Sequence, residues 1–262
     1  MRVVVTGCSR GIGRATAALL VDRGHEVVAT ARDPDTLTGL EVAERRRLDI
    51  DSAASVSETF RSLGPVDVVV NNAAIGVRGP IEAVPLDEVE RMFGTNVFGT
   101  VRVMQAVLPG MRERGSGTLV NVTSLGAHVA LPLHGFYCAT KYAVQAITEA
   151  ARIELGHFGV RVLAVAPGFV DSGWVNIEHG LDSPPYDELE RQMQGSSAID
   201  DLNGGLSKPE AIAEVIVEAI ESEDDAFFWP AGDDAHMIIG AREQLGYAGF
   251  EKALRDTMSL DW

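Results

Sequence analysis

Cysteine is scarce: Cys8 and Cys138 are the only two in 262 residues. A disulfide framework needs more cysteines in a shorter chain, so a stapled secreted scaffold is excluded. Long apolar runs are missing too. No window approaches the about 20 apolar residues that span a bilayer. No basic segment leads into an apolar stretch after Met1, so no secretory leader is expected and the cytoplasm is the expected location. Positive charge is in short supply: 22 Lys and Arg against 38 Asp and Glu leave a net charge of −16. Such a surface repels phosphate backbones and anionic lipid, which argues against nucleic acid and membranes as partners. His, Cys, Asp and Glu nowhere fall at metal-ligand spacing, so no metal is expected. The Gly-x-Ser-x-Gly elbow of serine hydrolases is absent, because Ser124 stands in Thr123-Ser124-Leu125-Gly126. His128 and His134 therefore read as rim or surface residues, not as triad members. There is no repeat, low-complexity tract or interdomain linker.

What is present is an alternation. Short apolar runs at Arg2–Thr6, Glu26–Ala31, Arg46–Ile50, Val66–Val70, Thr118–Thr123, Val160–Ala166 and Ala226–Trp229 read as strands. Helical patterns separate them at Gly11–Arg23, Ser52–Leu63, Leu86–Arg114, Gly135–His157 and Lys208–Ser222. Strands that are apolar throughout belong to a parallel sheet covered on both faces. Right-handed crossovers then predict an α/β fold, a doubly wound Rossmann-type sheet of about seven strands flanked by helices on both faces. The length predicts a single domain over 1–262. Asp171–Ser207 is polar and Gly/Pro-containing, and is expected to be a lid over the substrate. Residues 233–262 are expected to form a helical C-terminal extension.

The first strand runs into Thr6-Gly7-Cys8-Ser9-Arg10-Gly11-Ile12-Gly13, and a helix follows. Glycines there let the backbone approach a pyrophosphate, and the helix N-terminus offers free N–H groups with partial positive charge. Cys8 is expected to pack behind this turn. The spacing Thr-Gly-x-x-x-Gly-x-Gly resembles the first turn of the short-chain dehydrogenase/reductase family. Further along, Asn71-Asn72-Ala73-Ala74, Asn96, Ser124, Tyr137 with Lys141, and Pro167-Gly168-Phe169-Val170 occur in that family's order, over roughly residues 1 to 230. The stretches Phe136–Lys141 and Pro167–Val170 are similar to those of its hydroxysteroid- and retinol-dehydrogenase-like members.

Tyr137 and Lys141 lie four apart in a helical pattern, so both fall on one helix face. A free phenol ionises near pH 10, too high for easy proton exchange at neutral pH. A nearby ammonium stabilises the phenolate, and the charge of an oxidised nicotinamide ring would add to it. Tyr137 then serves as general acid for carbonyl reduction or base for alcohol oxidation. Ser124 sits at the carboxyl end of a strand, where ligands of open α/β sheets bind, and is placed to hydrogen-bond the substrate oxygen. Asn96 is a poor mid-helix residue. The resemblance implies that it kinks its helix and holds a water, on a proton path from Tyr137 through a cofactor ribose hydroxyl and Lys141.

A nicotinamide dinucleotide is the expected cofactor. An acid about 20 positions on would hold the ribose of NAD, but the second strand ends in Thr30-Ala31 and Arg32 follows. Arg32 and Arg10 suit a 2′-phosphate, so NADP(H) is preferred and NAD(H), with Asp33 on the ribose, is the alternative. The resemblance implies cofactor contacts from Gly7, Ser9, Arg10, Gly11, Ile12, Gly13, Arg32, Asp49, Ile50, Asn72, Ala73, Ala74, Tyr137, Lys141, Pro167, Gly168, Val170 and Ser172. Ala74 departs from the family's glycine by one methyl. Phe136, Trp174, Tyr186 and Met193 either line an apolar substrate pocket or belong to the core. Cys138 is expected to point away from Tyr137 as a small core residue. The expected partner is a small, apolar carbonyl or alcohol, and assembly as a homodimer or homotetramer is implied. The competing reading is a nucleotide-sensing module without turnover.

Overall fold

The computed structural model describes residues 1–173, 176–181, 184–195 and 205–262. Its main sheet has seven parallel strands: β1 (Arg2–Val5), β2 (Glu26–Ala31), β3 (Glu44–Arg47), β4 (Val68–Asn71), β6 (Gly117–Val122), β7 (Val160–Pro167) and β9 (Phe228–Ala231). Their order is β3-β2-β1-β4-β6-β7-β9. The winding reverses between β1 and β4, so a crevice opens beyond the carboxyl ends of those two strands.

Alternation along each strand feeds two cores. Val3, Val5, Val68, Val70, Val120 and Val122 pack against Leu20 of α1 (Gly11–Asp22) and Ile212 and Ile216 of α7 (Pro209–Glu221). Val4, Val69, Leu119 and Val162 pack on the other side against α2 (Ala53–Leu63), α4 (Thr100–Arg114) and α5 (Gly135–Gly156), through Phe60, Val103, Met111 and Ala151. The strand period of two puts successive valines on opposite faces, and both faces are dry. Truncating a fully buried leucine such as Leu20 to alanine is expected to cost about 2–5 kcal/mol.

Several boundaries differ from the sequence reading. The third strand is Glu44–Arg47, not Arg46–Ile50. It is a charged edge strand, and the apolar Leu48 and Ile50 that suggested it belong to the following loop. The last strand shifts to Phe228–Ala231 and carries Pro230, which an edge strand tolerates. Leu86–Arg114 is one helical run with a change of pitch: α3 (Leu86–Phe93), a π segment at Gly94–Gly99, then α4. The described residues of the 171–207 segment include regular structure. They contain β8 (Asn176–Glu178), paired in parallel with β5 (Gly76–Arg78), and α6 (Asp187–Gly195). α6 is fastened by the bidentate ion pair of Arg78 with Glu190. The C-terminal segment forms α8 (Asp233–Thr257), kinked at Gly246.

Candidate active site

A cleft of about 640 Å³ runs along the carboxyl ends of the strands, from the β1 turn to α5. Its floor is backbone. Gly7 and Gly11 have φ of +75° and +57°, where a side chain is strained. A Cβ on Gly13 would fall on the Asn72 amide and the Gly7 carbonyl. That close approach lets Asn72 Nδ2 donate to Thr6 O (2.9 Å) and Gly7 O (3.2 Å), locking the post-β4 loop to the end of β1. No side chain caps the N-terminus of α1, and Arg10 before it is extended, so the helix's first N–H groups face the cleft. An uncapped helix end, a glycine floor and a long crevice together fit a dinucleotide with its pyrophosphate on α1.

Ser9, Arg10, Ile12, Arg32, Asp49, Ile50, Ala73, Ala74, Val170 and Ser172 all line this cleft, as do Ser124, Tyr137, Lys141, Pro167 and Gly168. Gly13 lies just beneath it. Among the described residues, neither Arg10 nor Arg32 is in an ion pair, and both are exposed. Asp33 instead uses its carboxylate to cap the short turn Pro34–Leu37, accepting from Asp35 N at 3.0 Å.

At the other end stand Ser124, Tyr137 and Lys141. Tyr137 is hydrogen-bonded to Ser124, and Ser124 Oγ accepts from Gly126 N at 3.0 Å. Lys141 is buried, its Nζ 5.8 Å from the Tyr137 ring centroid and donating to Val122 O at 2.9 Å. Burial dominates both groups. It lowers Lys141 to about 8. It pushes the Tyr137 phenol up to about 12, against the downward pull of the Ser124 hydrogen bond. Within the chain alone, desolvation outweighs that hydrogen bond, and Tyr137 stays protonated at neutral pH.

Asn96 is behind the cleft, not in it. Its Oδ1 accepts from Ile75 N (2.8 Å), and its Nδ2 donates to Ile75 O (2.9 Å) and to Thr140 Oγ1 (3.0 Å). It thus ties the π segment, the loop after β4 and the residue preceding Lys141. Phe136 packs with Val77, Val84 and Met92, and Tyr186 and Met193 pack with Leu133, Leu189 and Met258. None of the three lines the cleft; Trp174 lies outside the described residues. Cys8 is fully buried behind the glycine turn, and burial raises its thiol to about 12. Cys138 is buried as expected, yet it forms part of the cleft wall beside Tyr137.

Sequence reasoning missed several contributors. Thr6 Oγ1 accepts from both Asn72 N and Ala73 N at 3.0 Å, and its place directly before the glycine turn was the available signal. A Cβ on Gly126 would press on Cys138 Sγ at 3.3 Å, beside Ser124 and Tyr137, so this turn is closely packed against the helix that carries the phenol. Thr95 donates to Asp51 at 3.0 Å, and both line the cleft near Ile50. These depend on contacts between residues distant in sequence.

A Rossmann-type, nucleotide-binding oxidoreductase is the class that this fold and site define. The chain belongs to the short chain dehydrogenase family, whose model matches residues 1–179. It is 34% identical over 180 residues to a 3-ketodihydrosphingosine reductase of Bacteroides thetaiotaomicron, covering 66% of this chain and 65% of that protein. It is 33% identical over 242 residues to human 17-beta-hydroxysteroid dehydrogenase type 1, covering 84% of this chain and 74% of that protein. Among solved structures, a short-chain dehydrogenase from Streptomyces avermitilis superposes with a TM-score of 0.83 at 29% identity, over 100% of this chain and 98% of that one. Another, from Burkholderia cenocepacia in complex with NADP, gives 0.76 at 25% identity, over 99% and 97%.

Proposed function

We propose that the chain is an NADP(H)-preferring oxidoreductase that interconverts a carbonyl and a primary or secondary alcohol, with Tyr137 handling the proton. The bound dinucleotide would supply or accept the hydride at the substrate carbon. The chain's own residues do the rest. The uncapped start of α1 and the glycine floor bind the pyrophosphate. Arg10 and Arg32 offer unpaired guanidinium groups for a 2′-phosphate, while Asp33 is engaged in its own turn; this favours NADP(H) over NAD(H). Ser124 and Tyr137 present two hydroxyls that can both donate to one substrate oxygen. Tyr137, protonated at neutral pH, gives its proton to that oxygen in reduction and takes one back in oxidation. Buried Lys141 keeps a positive charge beneath the phenol ring and so favours the phenolate once the proton has left. Asn96 acts by position, holding Ile75 and the Thr140–Lys141 turn in place.

The observation that carries this reading is the Ser124–Tyr137 hydrogen bond, over Lys141, at the far end of a cleft that starts on the glycine turn. Leu125, Leu131, Phe169 and Ile177 line that end, which suits an apolar substrate. The same reading takes residues 1–262 as one cytoplasmic domain. It assembles as a homodimer or homotetramer through the helices that expose Phe98, Tyr142 and Ile153. Titrating NADPH and NADH directly, then following cofactor oxidation with aldehydes and ketones, tests it. Binding of NADPH about tenfold tighter than NADH, with turnover on part of the panel, is expected. Tight binding with no turnover on any carbonyl or alcohol would leave the sensor reading instead.

A further inference from the structure

We infer that Asp234 is a positioning residue for the cofactor: its carboxylate fixes the Pro167-Gly168-Phe169 turn at the cleft wall, and residue 168 is glycine to leave room for it. This rests on the dehydrogenase reading above.

Asp234 belongs to the segment that the sequence presents as a mere extension, in the first turn of α8. It is 3% exposed. Its Oδ2 accepts a short hydrogen bond, 2.5 Å, from Phe169 N. A Cβ built on Gly168 would fall on both carboxylate oxygens. Gly168 has no positive φ, so no conformational demand requires glycine there. The requirement is space. The turn is held from two further directions, by Gly168 N donating to Ala231 O (3.0 Å) and by Ser207 N donating to Phe169 O (3.0 Å). Asp234 supplies the third tie, and the backbone it ties is cleft lining.

A buried carboxylate is costly unless bonded. Here the start of α8 favours its negative charge, and Phe169 N bonds it directly. An apolar residue of the same size would fill this volume without that cost, but it would leave the Phe169 N–H unheld. The carboxylate therefore serves the turn's geometry. It couples the C-terminal helix to the surface on which the cofactor lies.

The test uses the full chain carrying Asp234→Asn, Asp234→Ala, Gly168→Ala and the double change Gly168→Ala/Asp234→Ala. NADPH affinity is measured by direct titration, with kcat, the cofactor KM and the thermal midpoint alongside. Asp234→Ala is expected to weaken NADPH about tenfold, the size of one lost hydrogen bond to a charged group. The effect should appear in cofactor KM, with kcat at saturating cofactor within about twofold. Asp234→Asn, which keeps the acceptor, should lose less. Gly168→Ala should be worse than Asp234→Ala, and the double variant should bind better than Gly168→Ala alone, because the methyl then enters vacated space. Wild-type affinity in Gly168→Ala or Asp234→Ala overturns the inference, as does additive loss in the double variant. If the unaltered chain binds neither NADPH nor NADH, the dehydrogenase reading fails and takes this inference with it.

Discussion

The two ends of the cleft are made of different material. Beside β1 the surface is backbone: glycines, uncapped N–H groups and an asparagine bridging two carbonyls. Beside α5 it is side chains: a serine hydroxyl, a phenol and a buried ammonium. Under the proposed function the first end is to recognise shape and phosphate charge, so it should tolerate many side chains but no added Cβ at Gly13. The second end is to perform the chemistry under the same reading, so it should depend on individual functional groups. Binding and reaction should therefore be separable by mutation.

That separation can be broken or sharpened in order of expected effect. Gly13→Val drives a side chain into Asn72 and should abolish NADPH binding, measured by titration, and turnover with it. Ser124→Ala should lower kcat about a hundredfold while NADPH affinity stays unchanged, as steady-state kinetics with parallel binding would reveal. Arg32→Glu should act on binding alone, shifting the NADPH/NADH preference toward NADH by about tenfold or more, read from paired titrations.

A smaller effect comes from pH. Lys141 falls from 10.5 to about 8 in the folded chain. The unfolded chain then binds more protons between those values, so this group's contribution to stability rises with pH across that window. Below about pH 8 its penalty is complete, about 3 kcal/mol for a buried ammonium with this shift. Lys141→Met should thus raise the thermal midpoint at pH 7, with the gain shrinking toward pH 10.5, while turnover falls. A gain that does not change with pH would contradict the account.

Legibility followed the same divide. Glycine spacing after a strand, and a tyrosine four residues before a lysine, are local patterns, and both ends of the cleft were readable from them. The ties between the ends were not. Asn96 was visible as an oddity in a helix, but only the folded chain reveals that its amide grips Ile75 and Thr140. The burial of the phenol was not legible for a related reason: spacing locates a charge, but burial is set by the whole packing, and in the chain alone it raises Tyr137. β3 was misplaced because an edge strand of Glu44, Arg45, Arg46 and Arg47 carries no apolar signal. The pairing of Gly76–Arg78 with Asn176–Glu178 joins segments about a hundred residues apart, and no local pattern announces it. The Arg78–Glu190 clasp on α6 is equally non-local.

Tyr137→Phe removes one oxygen and leaves the rest of the cleft wall in place, so it tests the division of labour most directly. Turnover should fall by about a thousandfold or more, with NADPH affinity within about twofold of the unaltered chain. Turnover that persists near the original rate, or binding that is lost together with it, would contradict the assignment of the proton to this phenol.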